Sequence, residues 1–163
     1  MDEIFQKLID NNFSDLKGLA VDASIPVPEP LINEVVETAL KGNRNITDCQ
    51  VSISGQNRVS IHLKTGLLPW PLNLKLRLDK SVDLRDSPKI RALLENNLLL
   101  GTLGSFFKGL PSGISLSGNR VIVDLGAFLS KPEQKNFLDL IKSAEITTEE
   151  GKVILDVKLR VNQ

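Results

Sequence analysis

Tyrosine is absent from this chain of 163 residues, and Cys, His, Met and Trp occur once each. The lone Cys49 excludes a disulfide within the chain and fits a reducing compartment. One His and one Cys cannot supply a usual structural zinc set, and the scarcity of His removes most acid–base pairings. No charge of one sign dominates: 20 basic residues cancel 20 acidic ones, so there is no long-range field to gather nucleic acid. No run of about 18 apolar residues exists, so no transmembrane segment is expected. Met1-Asp2-Glu3-Ile4 lacks a basic region followed by a long apolar stretch. No secretory signal is therefore read: as written the chain is expected in the cytoplasm, or in the envelope if a signal has been removed.

What is present is alternation. Leu72, Leu74, Leu76 and Leu78 interleave with Asn73, Lys75, Arg77 and Asp79. Val153, Leu155, Val157, Leu159 and Val161 interleave mainly with Lys152, Asp156, Lys158 and Arg160, and Val59, Ile61 and Leu63 with Ser60, His62 and Lys64. A strand turns successive side chains to opposite faces, so these runs describe a sheet with one dry and one wet face. Such sheets are usually antiparallel and need a cover on the dry side. Apolar content of 41% and charged content of 25% are those of an ordinary soluble globular protein of one domain, residues 1–163.

Other elements follow from local signals. Residues 2–10 read as a short helix, within a peripheral segment 1–18. Val21, Ala23 and Ile25 predict an extended arm that Pro26, Pro28 and Pro30 stop. Pro30 suits a first helical turn, and Leu31, Ile32, Val35, Val36, Ala39 and Leu40 form a stripe that predicts a helix to about Lys41. Asn33, Glu34 and Glu37 are expected to face water, and Gly42 to end the helix. Strands are predicted at 46–54, 58–65 and 72–80, with a turn at Gly55-Gln56-Asn57. Ser87-Pro88 reads as a cap and first-turn proline, so a long helix, bent or in two pieces, is expected to about Lys108. A hairpin over 114–125, a helix from the Ser130/Glu133 capping box to about Lys142, and a last hairpin from Ala144 to Val161 complete the chain. Hairpins separated by helices imply an α+β fold: a curved antiparallel sheet, a meander plus hairpins, packed on one face by two or three α-helices.

Catalytic and metal signals are weak. His62 is expected on the wet face without an identified partner, and Cys49, in phase with Val51 and Ile53, reads as a small buried hydrophobe. Asp79, Asp83, Asp86 and Glu95 lie among Lys80, Arg85, Lys89 and Arg91 and read as a self-neutralising face. Lys75, Arg77, Lys158 and Arg160 make a basic stripe only if their strands are neighbours, and no aromatics interleave them for base stacking. No phosphate loop or dinucleotide fingerprint is present. No metal, cofactor or nucleic-acid partner is expected, and no enzymatic activity. Two features stand out: the Pro69-Trp70-Pro71 loop, preceded by Leu67 and Leu68, and a leucine content of 27 in 163 residues, which implies an aliphatic interior. The loop reads either as a cap on the core or as a rim that touches a membrane, ligand or partner.

Pro28-Glu29-Pro30-Leu31-Ile32-Asn33-Glu34 opening a helix, the meander after it, Leu110-Pro111-Ser112-Gly113-Ile114, and the final strand from Gly151 to Val161 together resemble the short bacterial members of the tubular lipid-binding superfamily. The resemblance lies in element order and hydrophobic pattern over residues 19–161. It implies a bent sheet wrapped about a helix and a greasy groove, with binding of a lipid or other apolar ligand and no catalysis. The expected groove lies between the dry face and the 88–108 helix. Val59, Ile61, Leu63, Leu72, Leu74, Leu76, Leu99, Leu103, Phe106 and Phe107 would line it, with Trp70 near the mouth. The alternative is a structural or interaction module that docks a protein partner or a second copy through an apolar loop or sheet face.

Overall fold

The computed structural model describes Gly18 and residues 20–42, 45–66, 68–84, 87–95, 112–128 and 140–160. The strands are β1 (Ala20–Pro28), β2 (Ile46–Ser54), β3 (Arg58–Thr65), β4 (Leu72–Leu78), β5 (Lys89–Leu94), β6 (Ile114–Ser117), β7 (Arg120–Asp124), β8 (Ile141–Glu149) and β9 (Lys152–Arg160). One α-helix, α1 (Glu29–Leu40), and one 3-10 turn, Leu125–Phe128, lie among the described residues. The strands form two sheets, one ordered β2-β3-β4-β5-β7-β6 and the other β1-β9-β8, and every pairing is antiparallel. The architecture is α+β and dominated by antiparallel sheet.

The alternating runs become strands in the expected phase. On β4, Leu72, Leu74 and Leu76 are buried while Asn73, Lys75 and Arg77 are exposed. Val157 on β9 is buried at 8% exposure. The β2–β3 turn uses Gln56 and Asn57 at φ 61° and 58°, the left-handed region that a two-strand connection of this hand requires. Gly42 ends α1 at φ 84°, as its position after the helix predicted.

Four local expectations are corrected. The helix predicted from Ser87-Pro88 is strand β5 over Lys89–Leu94; the rest of that span, 96–108, lies outside the described residues. Asp83 and Lys89 exchange backbone hydrogen bonds at 3.0 and 2.7 Å, so Ser87-Pro88 sits in the turn between them. The Ser87 hydroxyl then donates to Asp124 Oδ1 at 2.7 Å instead of capping a helix. Ile141 and Lys142, assigned to the end of a third helix, begin β8; residues 129–139 lie outside the described set. Pro26 and Pro28 do not stop β1, because it is an edge strand and its outer side needs no N–H donors. Finally, α1 is rotated from the expected stripe. Leu31 and Val35 are 47% and 61% exposed, whereas Ile32, Val36 and Leu40 pack inward and Asn33 is half-buried.

The cause of that rotation is the unpaired edge of β2. Val51 donates its N–H to Asn33 Oδ1 at 2.7 Å and accepts from Asn33 Nδ2 at 2.9 Å. Ile53 donates to Glu29 Oε2 at 2.8 Å and accepts from Gly151 N at 3.0 Å. Buried backbone groups left unpaired cost more than two exposed aliphatic side chains recover, so the helix presents its polar residues to the strand.

The sheets meet where β2 turns into β3. Asn57 Nδ2 donates to the Ile146 carbonyl at 3.1 Å, and Asn57 Oδ1 accepts from Thr148 N at 3.1 Å. Thr148 Oγ1 donates to the Ser54 carbonyl at 2.6 Å. Val82 N donates to Ala144 O at 3.0 Å and Ile146 N to Lys80 O at 2.6 Å, so the chain leaving β4 runs beside β8.

Candidate functional site

Six of the predicted groove residues share one face. The cross-strand pairs Val59↔Leu76, Ile61↔Leu74 and Leu63↔Leu72 set them side by side on β3 and β4. Five are buried, and Ile61 is half-buried against them. The cluster continues through Leu94, Ala92 and Val121 on β5 and β7. The predicted partner wall is corrected at its start: Ile90, Ala92 and Leu94 lie within the sheet, so residues 89–94 extend the apolar face instead of roofing it. Leu99, Leu103, Phe106 and Phe107 lie outside the described residues. Trp70 is 61% exposed, so its ring does not cap the core, whereas Leu68 in the same loop packs on the cluster.

A cleft of about 710 Å³ opens between the C-terminal half of α1 and the start of β2. This volume lies in the range of small-molecule sites. Leu40, Ile46 and Cys49 form its apolar side, and all three belong to or pack on the cluster that holds Leu63, Leu72, Leu74 and Leu76. Asn33, Glu37, Lys41, Thr47, Asp48 and Gln50 supply the polar side. The β3–β4 loop carrying Trp70 starts at the same end of the sheet, where Gly66 N donates to Asn45 O at 3.1 Å and Ile46 pairs with Thr65.

The polar cleft residues were missed from sequence because each reads alone as a surface residue. One signal was available. Asn33 sits in register with Glu29 four residues before and Glu37 four residues after, a polar row beside the apolar stripe. Cys49 was expected to be buried with Val51 and Ile53; it is half-buried. Burial, with the Asp48 carboxylate adding to it, pushes its thiol up to about 11.

Of the remaining candidates, Arg85 and Asp86 lie outside the described residues, and His62, Asp79, Asp83 and Glu95 are paired. His62 Nδ1 donates to Asn73 Oδ1 at 2.6 Å across the β3–β4 pair. Arg120 pairs with Asp79 at 2.7 Å, Arg91 with Asp83, and both Arg77 and Arg58 with Glu95. Lys75 and Arg77 lie on one sheet and Lys158 and Arg160 on the other, so they do not form a stripe. Among the described residues no group of three His, Cys, Asp or Glu side chains is placed to hold a metal ion, and no helix is long and apolar enough to cross a membrane. Compared with protein-family models, curated proteins and solved structures, the chain matches none of them.

Proposed function

We propose that the protein is a non-catalytic binding domain for a lipid or other apolar ligand, held between α1 and the dry face of the larger sheet. The observation that carries this reading is the continuity between cleft and core. Leu40, Ile46 and Cys49 line the opening and also touch the aliphatic cluster on β3 and β4. An acyl chain entering there removes apolar surface from water on both sides, worth roughly 25 cal/mol per Å² buried. Aliphatic walls give affinity without much selectivity, so selectivity falls to the polar rim.

Trp70 is a built-in reporter, since it is the sole Trp in a chain without Tyr and is 61% exposed beside the cleft's end of the sheet. Adding decanoic acid or dodecyl maltoside below its micelle concentration is expected to shift Trp70 emission to the blue in a saturable way. Native mass spectrometry after gentle purification is expected to show a bound lipid. Unchanged emission together with a ligand-free spectrum and no measurable heat of binding overturns the reading.

A further inference from the structure

Among the described residues the edge of β2 is sealed at two rungs and open at a third. In an antiparallel strand the N–H and C=O of one residue point to the same side, and the side alternates along the chain. Val51 and Ile53 point theirs away from β3, to Asn33, Glu29 and Gly151. The β2–β3 register is regular from Asp48 to Ser54, so the Cys49 peptide groups point the same way, into the cleft. Among the described residues no side chain or backbone group bonds them. The helix row is in step with the strand. Four helical residues rise about 6 Å, and two strand residues about 6.8 Å. Glu29 meets Ile53, Asn33 meets Val51, and Glu37 is next in line for Cys49, yet Glu37 lines the cleft instead of closing it.

Asn33 shows what fits such a rung: a primary carboxamide, with carbonyl and N–H on the same side, bonded to N–H and C=O of one strand residue. We infer that the open rung at Cys49 is a head-group subsite for an amphiphile ending in a primary carboxamide or a group of the same donor–acceptor shape. Its carbonyl accepts from the Cys49 N–H, and one amide N–H donates to the Cys49 carbonyl. The second N–H donates to the Glu37 carboxylate, and the tail lies on Leu40 and Ile46. This deepens the proposed function and rests on it: that reading supplies the tail site, and the rung supplies the selectivity.

Decanamide and methyl decanoate share tail length, but only the amide donates. With wild-type protein followed by amide hydrogen exchange and calorimetry, the Cys49 N–H should exchange faster than those of Val51 and Ile53. Decanamide should bind about tenfold tighter than the ester and slow exchange at Cys49. Glu37→Ala should narrow that ratio, and Glu37→Gln should largely preserve it because its carbonyl still accepts. Equal affinity for amide and ester, or an amide complex that leaves Cys49 exchanging freely, overturns the subsite while the apolar reading stands. Failure of both ligands to bind, together with unchanged Trp70 emission and a ligand-free native mass spectrum, overturns both; failure of both beside a co-purified lipid overturns the subsite alone.

Discussion

At Cys49 two effects act in one direction. Burial disfavours the thiolate, and the Asp48 carboxylate beside it disfavours negative charge further, so the thiol titrates near 11 instead of 9.0. The thiolate is the nucleophile, so iodoacetamide at pH 8 should modify the folded protein much more slowly than the urea-unfolded one. The sign for stability follows by linkage. The folded state holds the proton more tightly, so the contribution is complete below pH 9 and is lost as pH rises from about 9 to about 11. Urea midpoints for wild type and Cys49→Ala should therefore converge over that window, because the alanine variant has no thiol to ionise. The thiol's inward phase was legible from Val51 and Ile53. Its position on a cleft wall was not, since that depends on where α1 lies across β2.

At the scale of elements, strands with strict alternation were legible because period-2 patterning has one physical reading when one face is wet. The span after Ser87 was not. Ile90, Leu93 and Leu94 satisfy a helical spacing, and Ile90, Ala92 and Leu94 satisfy an alternating one. The tie is broken by partners far away in sequence: β4 on one side and β7 on the other, with Leu76↔Leu94 and Ala92↔Val121 in register. Leu94, the last residue of β5, is 1% exposed, so Leu94→Ala should cost about 2–5 kcal/mol in chemical denaturation. Leu93 points to the opposite face, opposite Arg77 and Arg120. Leu93→Ala should cost much less than Leu94→Ala, whereas a helix over this span would make the two losses similar. The same limit hid the rotation of α1. An amphipathic stripe states that a helix has a dry side, but the unpaired edge amides of β2 decide which polar residues share it.

The order of strands in a whole molecule depends on contacts that no local pattern encodes. Asn57 illustrates the distance involved: it bonds Thr148 N across 91 residues while also donating to Leu78 O at 3.3 Å. Its φ of 58° is costly for a side chain other than glycine, and Asn tolerates it better than most. Two substitutions separate the backbone role from the bridging role. Asn57→Gly keeps the turn conformation but leaves the Ile146 carbonyl and Thr148 N–H without their partner, for an expected loss of about 1–3 kcal/mol. Asn57→Ala loses the same bonds and adds about 1 kcal/mol of left-handed strain. If the bridge couples the two sheets into one cooperative unit, urea transitions followed by circular dichroism and by Trp70 emission will coincide in wild type. In both Asn57 variants they will separate, with β1-β9-β8 melting first. Coincident transitions in the glycine variant would instead assign the coupling to the contacts that survive it: the bonds of β8 with Lys80 and Val82, Thr148 Oγ1 with the Ser54 carbonyl, and Gly151 with Ile53.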